Sequence, residues 1–99
     1  MIDLERIVGF DWDPGNARKN ERHDVSQSEA EQVFFDPRLL MVADPTHSAG
    51  ETRFHALGQT IDGRHLHITF KLRGHETLIR VISARDMHRK EKAIYDRKD

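Results

Sequence analysis

Ninety-nine residues, of which 36% are hydrophobic and 33% charged, allow one small domain with a thin core and a very polar surface. There is no cysteine, which excludes disulfides and thiolate zinc sites and fits a reducing, cytoplasmic setting. No apolar run reaches the roughly 18 residues of a membrane span, and the opening Met1-Ile2-Asp3-Leu4-Glu5 is too acidic for a secretory signal. The net charge of −1 argues against a simple polyanion binder, but its distribution does not. Residues 1–62 carry 6 Lys/Arg against 12 Asp/Glu, and residues 63–99 carry 10 against 5. This pattern fits a basic working surface on an acidic body, although a solvated mixed-charge surface is the plainer alternative.

In chain order, Val8, Phe10 and Trp12 share a face by period two, which predicts a strand over 6–12. Asp13 can cap a helix whose first residue is Pro14, so a polar helix is expected over 15–23. Ser26 and Glu29 spell a capping box, with Val25 and Ala30 as its staple. Ala30, Val33 and Phe34 give that second helix an apolar stripe, and Asp36-Pro37 ends it. A short strand is expected over 39–42, a loop over 44–50 and a strand over 52–57. Asp62-Gly63 predicts a type I′ hairpin into a strand over 65–73. There Leu66, Ile68, Phe70 and Leu72 alternate with His65, His67, Thr69, Lys71 and Arg73. Gly74-His75 turns the chain into a strand over 77–84, and Asp86 is placed as the cap of a basic final helix in which Met87, Ile94 and Tyr95 pack back. The order β-α-α-β-β-β-β-α predicts an α+β fold: an antiparallel sheet of four to five strands, two N-terminal helices and one C-terminal helix, with the helices against one face.

One face of that sheet is apolar and the other carries cations and imidazoles, which suits an anionic, polar ligand such as RNA. Several stretches together resemble the BrnT toxins of bacterial type II toxin–antitoxin systems. They are Trp12-Asp13 with Asn16, Asn20 and His23, the acidic helix ending Glu31-Gln32-Val33-Phe34-Phe35, Glu51-Thr52-Arg53-Phe54 with Leu57-Gly58, and Arg80-Val81-Ile82-Ser83-Ala84-Arg85-Asp86-Met87 with Glu91 and Tyr95. The family often has glycine where Asp24 stands and lysine where Asn16 stands; the first change questions the cap geometry of the preceding helix. The resemblance implies a RelE-like fold and a ribonuclease that arrests translation. It also implies a cognate ribbon-helix-helix antitoxin (BrnA-like), through which alone the toxin would meet operator DNA.

Cleavage of RNA without metal needs a base for the 2′-hydroxyl, cations for the charge growing at phosphorus and an acid for the leaving 5′-oxygen. Arg80, Arg53, His55, Lys71 and Arg85 are the candidate catalytic residues, because arginine grips two phosphate oxygens and imidazole titrates near neutrality. Trp12, His67, Arg73, His88 and Tyr95 are the candidate RNA-binding residues, with Phe10 as a second stacking ring and His65 as a further proton mover. Each has a plainer reading. Trp12 is an ordinary core anchor, Tyr95 packs its ring and leaves its hydroxyl wet, and Arg85 pairs locally with Asp86. Arg80, alone between Ile79 and Val81, needs a phosphate or a carboxylate such as Glu51. His65 and His67 have strand spacing for a metal pair but lack neighbouring ligands, so neither metal nor cofactor is expected. Two alternatives stand beside the enzyme: a non-catalytic protein that binds its antitoxin and tunes repression, and a plain RNA-binding module.

Overall fold

Alternation over 65–73 builds the centre of the fold. The computed structural model describes residues 2–13, 23–44 and 51–97. In it Leu66, Ile68 and Phe70 of β4 (His65–Arg73) are fully buried. β4 pairs antiparallel with β3 (Arg53–Gln59) on one side and β5 (Leu78–Asp86) on the other, and β2 (Leu40–Asp44) lies antiparallel outside β3. At the opposite edge β1 (Gly9–Phe10) runs parallel to β5, completing the order β1-β5-β4-β3-β2. The five-stranded sheet is therefore mixed, not antiparallel throughout. Most of the chain separates β1 from β5, so no hairpin dictates their relative direction. β1 is also shorter than the strand expected over 6–12, because Leu4–Arg6 forms a 3-10 turn capped by Asp3.

Among the described residues there are two α-helices, one fewer than expected. The helix placed over 15–23 falls outside them except for His23, which lies in a turn with Asp24. Asp24 has φ of 56°, so it keeps the left-handed conformation that a glycine would supply. α1 (Gln27–Val33) begins with the full capping box: Glu29 N–H donates to Ser26 Oγ and Ser26 N–H to the Glu29 carboxylate, both at 3.0 Å. Ala30, Val33 and Phe34 bury on β3 and β4, where Phe34 meets the Phe70 ring edge-on at 5.0 Å. Gly58 makes this approach possible, since a Cβ there would lie 2.7 Å from Val33 Cγ1 and 3.1 Å from the Val33 carbonyl oxygen.

The second helix, α2 (Arg89–Arg97), starts later than expected. β5 continues to Asp86, and the first helical bond runs from Lys92 N–H to the His88 carbonyl. Glu91 reaches back to accept from His88 N–H at 2.8 Å, so the N-terminal position belongs to His88 and not to Asp86. The helices also do not share a face. Tyr95, the one buried residue of α2, meets the ring of His65 on the polar side, while Ile94 stays half exposed.

Two local features depart from simple alternation. In the β3–β4 hairpin only Gly63 has positive φ, and Gly63 N–H closes on the Thr60 carbonyl. This is a longer loop ending in a left-handed glycine, not the two-residue type I′ turn. In β5 the register skips Ile82, because Phe70 faces Val81 while Thr69 faces Ser83. The extra residue shifts the side-chain parity. Arg80 and Arg85, five apart, would otherwise point to opposite faces; the bulge puts both on the polar one.

Candidate functional site: the polar face of the sheet

Register assembles the face. Lys71 on β4 stands opposite Arg80 on β5, His67 opposite Arg85, and Thr69 between His55 and Ser83. Arg53 occupies the same side of β3, two residues before His55. The sequence-predicted cations and imidazoles thus converge, and carboxylates hold them.

Arg80 is gripped by Asp11 at 3.0 Å and, more closely, by Asp13. Its partner is therefore not Glu51, because β1 delivers the acids that follow it alongside β5: Asp11 N–H donates to the Ile79 carbonyl. Hydrogen bonds from the guanidinium, first to Asp13 and then to Asp11, raise its already high pKa and fix its charge. Glu51 instead takes Lys71 at 3.4 Å and Arg73 at 4.0 Å. These acids remain open to solvent: the side chains of Asp13 and Glu51 are 42% and 51% exposed, against 22% for Arg80. An anion can therefore compete with them for the cations, and such half-exposed pairs are individually weak.

At the other end of the face α2 closes over the sheet. Arg85 forks onto Glu91 with bonds of 2.8 and 2.9 Å and does not pair with the Asp86 side chain. The Arg85 guanidinium holds the Glu91 carboxyl down at about 2. His67 lies buried beneath this pair. Burial first, and the Arg85 charge second, push it down to about 4, and its Nδ1 has no hydrogen-bond partner among the described residues. His88 is exposed at the helix start. Tyr95 is corrected from a wet hydroxyl to a buried one, donating to Asp36 at 2.6 Å. Burial, then that bond, raise it to about 12, and a nucleotide cannot reach the ring without moving α2.

Between these ends lies a chain of three polar groups. His55 Nε2 sits 2.8 Å from Asp44 Oδ2 and His55 Nδ1 sits 3.1 Å from Thr69 Oγ1. The His55 ring lies 4.9 Å from that of His67. Asp44 had no part in the predicted site, being read as the start of a loop; only its place across from Arg53 in β2–β3 brings it to His55. Asp11 and Asp13 were missed as well, and the acidic excess of the first 62 residues was the one signal for them.

The aromatic candidates go elsewhere. Phe10 packs on Phe34 at 5.7 Å, and Trp12 is partly buried with its Nε1–H donating to Glu31 at 2.8 Å. Of two hollows, one of about 410 Å3 between Phe35, Arg38, Ile61 and Tyr95 borders the α2 end of the sheet, and one of about 540 Å3 between Val8, Phe10 and Phe34 lies on the apolar side; neither is lined by Arg80, Lys71 or His55. No helix among the described residues is long and apolar enough to cross a membrane.

These observations define a small α+β protein that gathers arginine, lysine and histidine from three neighbouring strands on one side of a mixed sheet. The chain belongs to the family of ribonuclease toxins, BrnT, of type II toxin–antitoxin systems, whose family model matches residues 12–91. No curated protein matches it. Membership brings with it an RNA substrate and an antitoxin partner.

Proposed function

We propose that this chain is a metal-independent endoribonuclease of RelE-like architecture that cuts RNA in the cytoplasm and thereby inhibits translation. A ribbon-helix-helix antitoxin neutralises it by covering the basic face, and operator DNA is met only through that antitoxin. The observation that carries the reading is the Lys71–Arg80 pairing beside Arg53 and His55, in a chain of a ribonuclease family. Lys71 and Arg80 hold the scissile phosphodiester, in exchange for Glu51, Asp11 and Asp13, and neutralise the charge that grows on its oxygens. Arg53 and Arg73 bind the neighbouring phosphates, and Arg85 keeps the far end of the face in place through Glu91.

The test is to induce the wild-type chain and Arg80→Ala in a bacterium, following growth and RNA integrity, and to assay purified protein on labelled RNA with a chelator present. Wild type is expected to arrest growth and cut RNA despite the chelator, and Arg80→Ala to do neither while remaining folded. Untouched RNA and normal growth with wild type refute the proposal. One observation favours a second reading, that of a non-catalytic antitoxin-binding co-repressor: Arg80, Lys71, Arg73 and Arg85 all have carboxylate partners within the chain. That reading predicts a stable complex with the neighbouring gene's product and no cleavage at any protein concentration.

A further inference from the structure

The geometry points to His55 as the group that takes the proton from the attacking 2′-hydroxyl, with Asp44 as the residue that positions it. This rests on the ribonuclease reading and assigns its proton mover.

The argument begins with Asp44. Its side chain is 9% exposed, and a carboxylate so far from water needs donors. His55 Nε2 at 2.8 Å is one of them. A carboxylate accepts only from N–H, so Nε2 carries the proton and Nδ1 of the neutral ring keeps a lone pair. That lone pair is aimed across the sheet at Thr69 Oγ1, 3.1 Å away. A hydroxyl donating to Nδ1 is what a substrate's 2′-hydroxyl has to do, and the Thr69 hydroxyl marks its direction. The His55 side chain is 29% exposed, so substrate can come within reach.

Placement against the cations agrees. Thr69 precedes Lys71 by two residues on the same side of β4, which is about 7 Å along the strand. A ribose over His55 and Thr69 therefore sets its 3′-phosphate towards Lys71 and Arg80. Nδ1 removes the 2′-hydroxyl proton as the 2′-oxygen bonds to phosphorus and the bond from phosphorus to the 5′-oxygen breaks. Solvent water protonates the leaving 5′-oxygen, and the imidazolium returns its proton to the hydroxide so formed. The products are a 2′,3′-cyclic phosphate and a 5′-hydroxyl end.

The other imidazoles of the face are less suited. His65 lies against Tyr95 under α2, and His67 is buried and held neutral. The groups facing His55 are Asp44 from β2 and Thr69 and His67 from β4. Arg85 of β5, neutralised by Glu91 of α2, stands behind His67, and Arg53 and Lys71 lie next along their own strands.

The experiment measures cleavage of a labelled RNA oligonucleotide against pH by the purified full chain, for wild type, His55→Gln and Asp44→Asn, with 15N-histidine NMR on wild type. His55→Gln is expected to lower kcat by about 10²–10⁴-fold, the usual worth of a placed base, with RNA affinity preserved. Asp44→Asn is expected to lower kcat by roughly 10-fold or more with KM little changed, because the ring loses the carboxylate that holds its proton on Nε2. The NMR spectrum should show His55 protonated on Nε2 in its neutral form, a readout that stands even if Asp44→Asn fails to fold. Wild type that cleaves while His55→Gln or Asp44→Asn keeps its kcat overturns this assignment alone, as does a proton on Nδ1. Wild type that cuts no RNA overturns the ribonuclease reading and this one with it.

Discussion

Replacing Arg64 should cost this chain more stability than replacing any of the face arginines. Arg64 stands just before β4 and ties three separated segments together. Its Nε and Nη2 donate to Asp86 at 2.7 and 3.1 Å, its Nη1 donates to Glu29 at 3.1 Å and to the Asp24 carbonyl at 2.7 Å, and Nη2 also reaches the His23 carbonyl at 3.3 Å. The side chain is 26% exposed, whereas Asp86 is 64% exposed. The bonds to Asp86 are therefore discounted to about 0.5–1 kcal/mol by solvent screening. Those to Glu29 and the two carbonyls, which fasten the left-handed Asp24 turn to the hairpin, contribute about 1.5–2 kcal/mol on the scale of charge-assisted bonds. Arg64→Ala is thus expected to lose about 2–3 kcal/mol, a fall in Tm of roughly 10–20 °C for a domain this size. Arg64→Lys should recover less than half of it, because an ammonium cannot fork. Urea titration followed by circular dichroism, with the slope m unchanged, reads the difference. A midpoint for Arg64→Ala within about 0.5 kcal/mol of wild type would show that the tie does not hold the fold.

Gly58→Ala should destabilise by about 1–3 kcal/mol, since the new methyl meets Val33 Cγ1 and carbonyl oxygen and α1 must lift from β3; a wild-type thermal melt contradicts that account. Glu76→Gly should stabilise by about 0.5–1 kcal/mol. Glu76 has φ of 68°, and the strain relieved outweighs the extra chain entropy of glycine. The Arg6 contact at 3.9 Å that it gives up is solvent-exposed and weak, and a lower denaturation midpoint contradicts the prediction. Acid should unfold the chain in two stages. His67 is depressed from 6.5 to about 4 and Glu91 from 4.5 to about 2, so the unfolded chain binds more protons at both groups. Stability should be complete above about pH 6.5, fall between 6.5 and 4 as unfolded His67 protonates, and fall again between 4.5 and 2 through Glu91. Glu91→Gln should shrink the lower stage without removing it, because Glu29, Asp36 and Asp86 are also held below their ordinary range by their hydrogen bonds, and denaturation midpoints that stay level from pH 7 to 3 would sink the assignment.

Local signals were readable where one segment decides its own structure. Ser26 and Glu29 close their box with backbone a few residues away, and the alternation over 65–73 needs only a core on one side. The features that failed depend on distant partners. The direction of β1 is set by β5, almost 70 residues on, and the late start of α2 by β5 pairing with β4 as far as Asp86. Asp62-Gly63 does mark a hairpin, but Thr60 and Arg64 extend its loop. The same division holds for the site. That Lys71 lies on the side of β4 away from Phe70 follows from period two, whereas its sharing a face with His55 and Arg80 comes only from register, and the partnership with Asp44, Asp11 and Asp13 only from strand order. Arg80 was legible as a residue needing a counter-charge, and its neighbours in sequence held no clue to which acids supply it.

The unpaired Ile82 has a consequence for how length changes in this strand should be tolerated. Losing that one residue leaves Val81 followed by Ser83, an ordinary in-and-out sequence across from Phe70 and Thr69, so every neighbour keeps its side of the sheet. A deletion that would wreck most strands is here neutral for orientation and removes only the added twist. An insertion is harsher: two surplus residues span a full period and keep each side chain on its side, but they slide Ala84 and Arg85 two places along β4, away from Ile68 and His67.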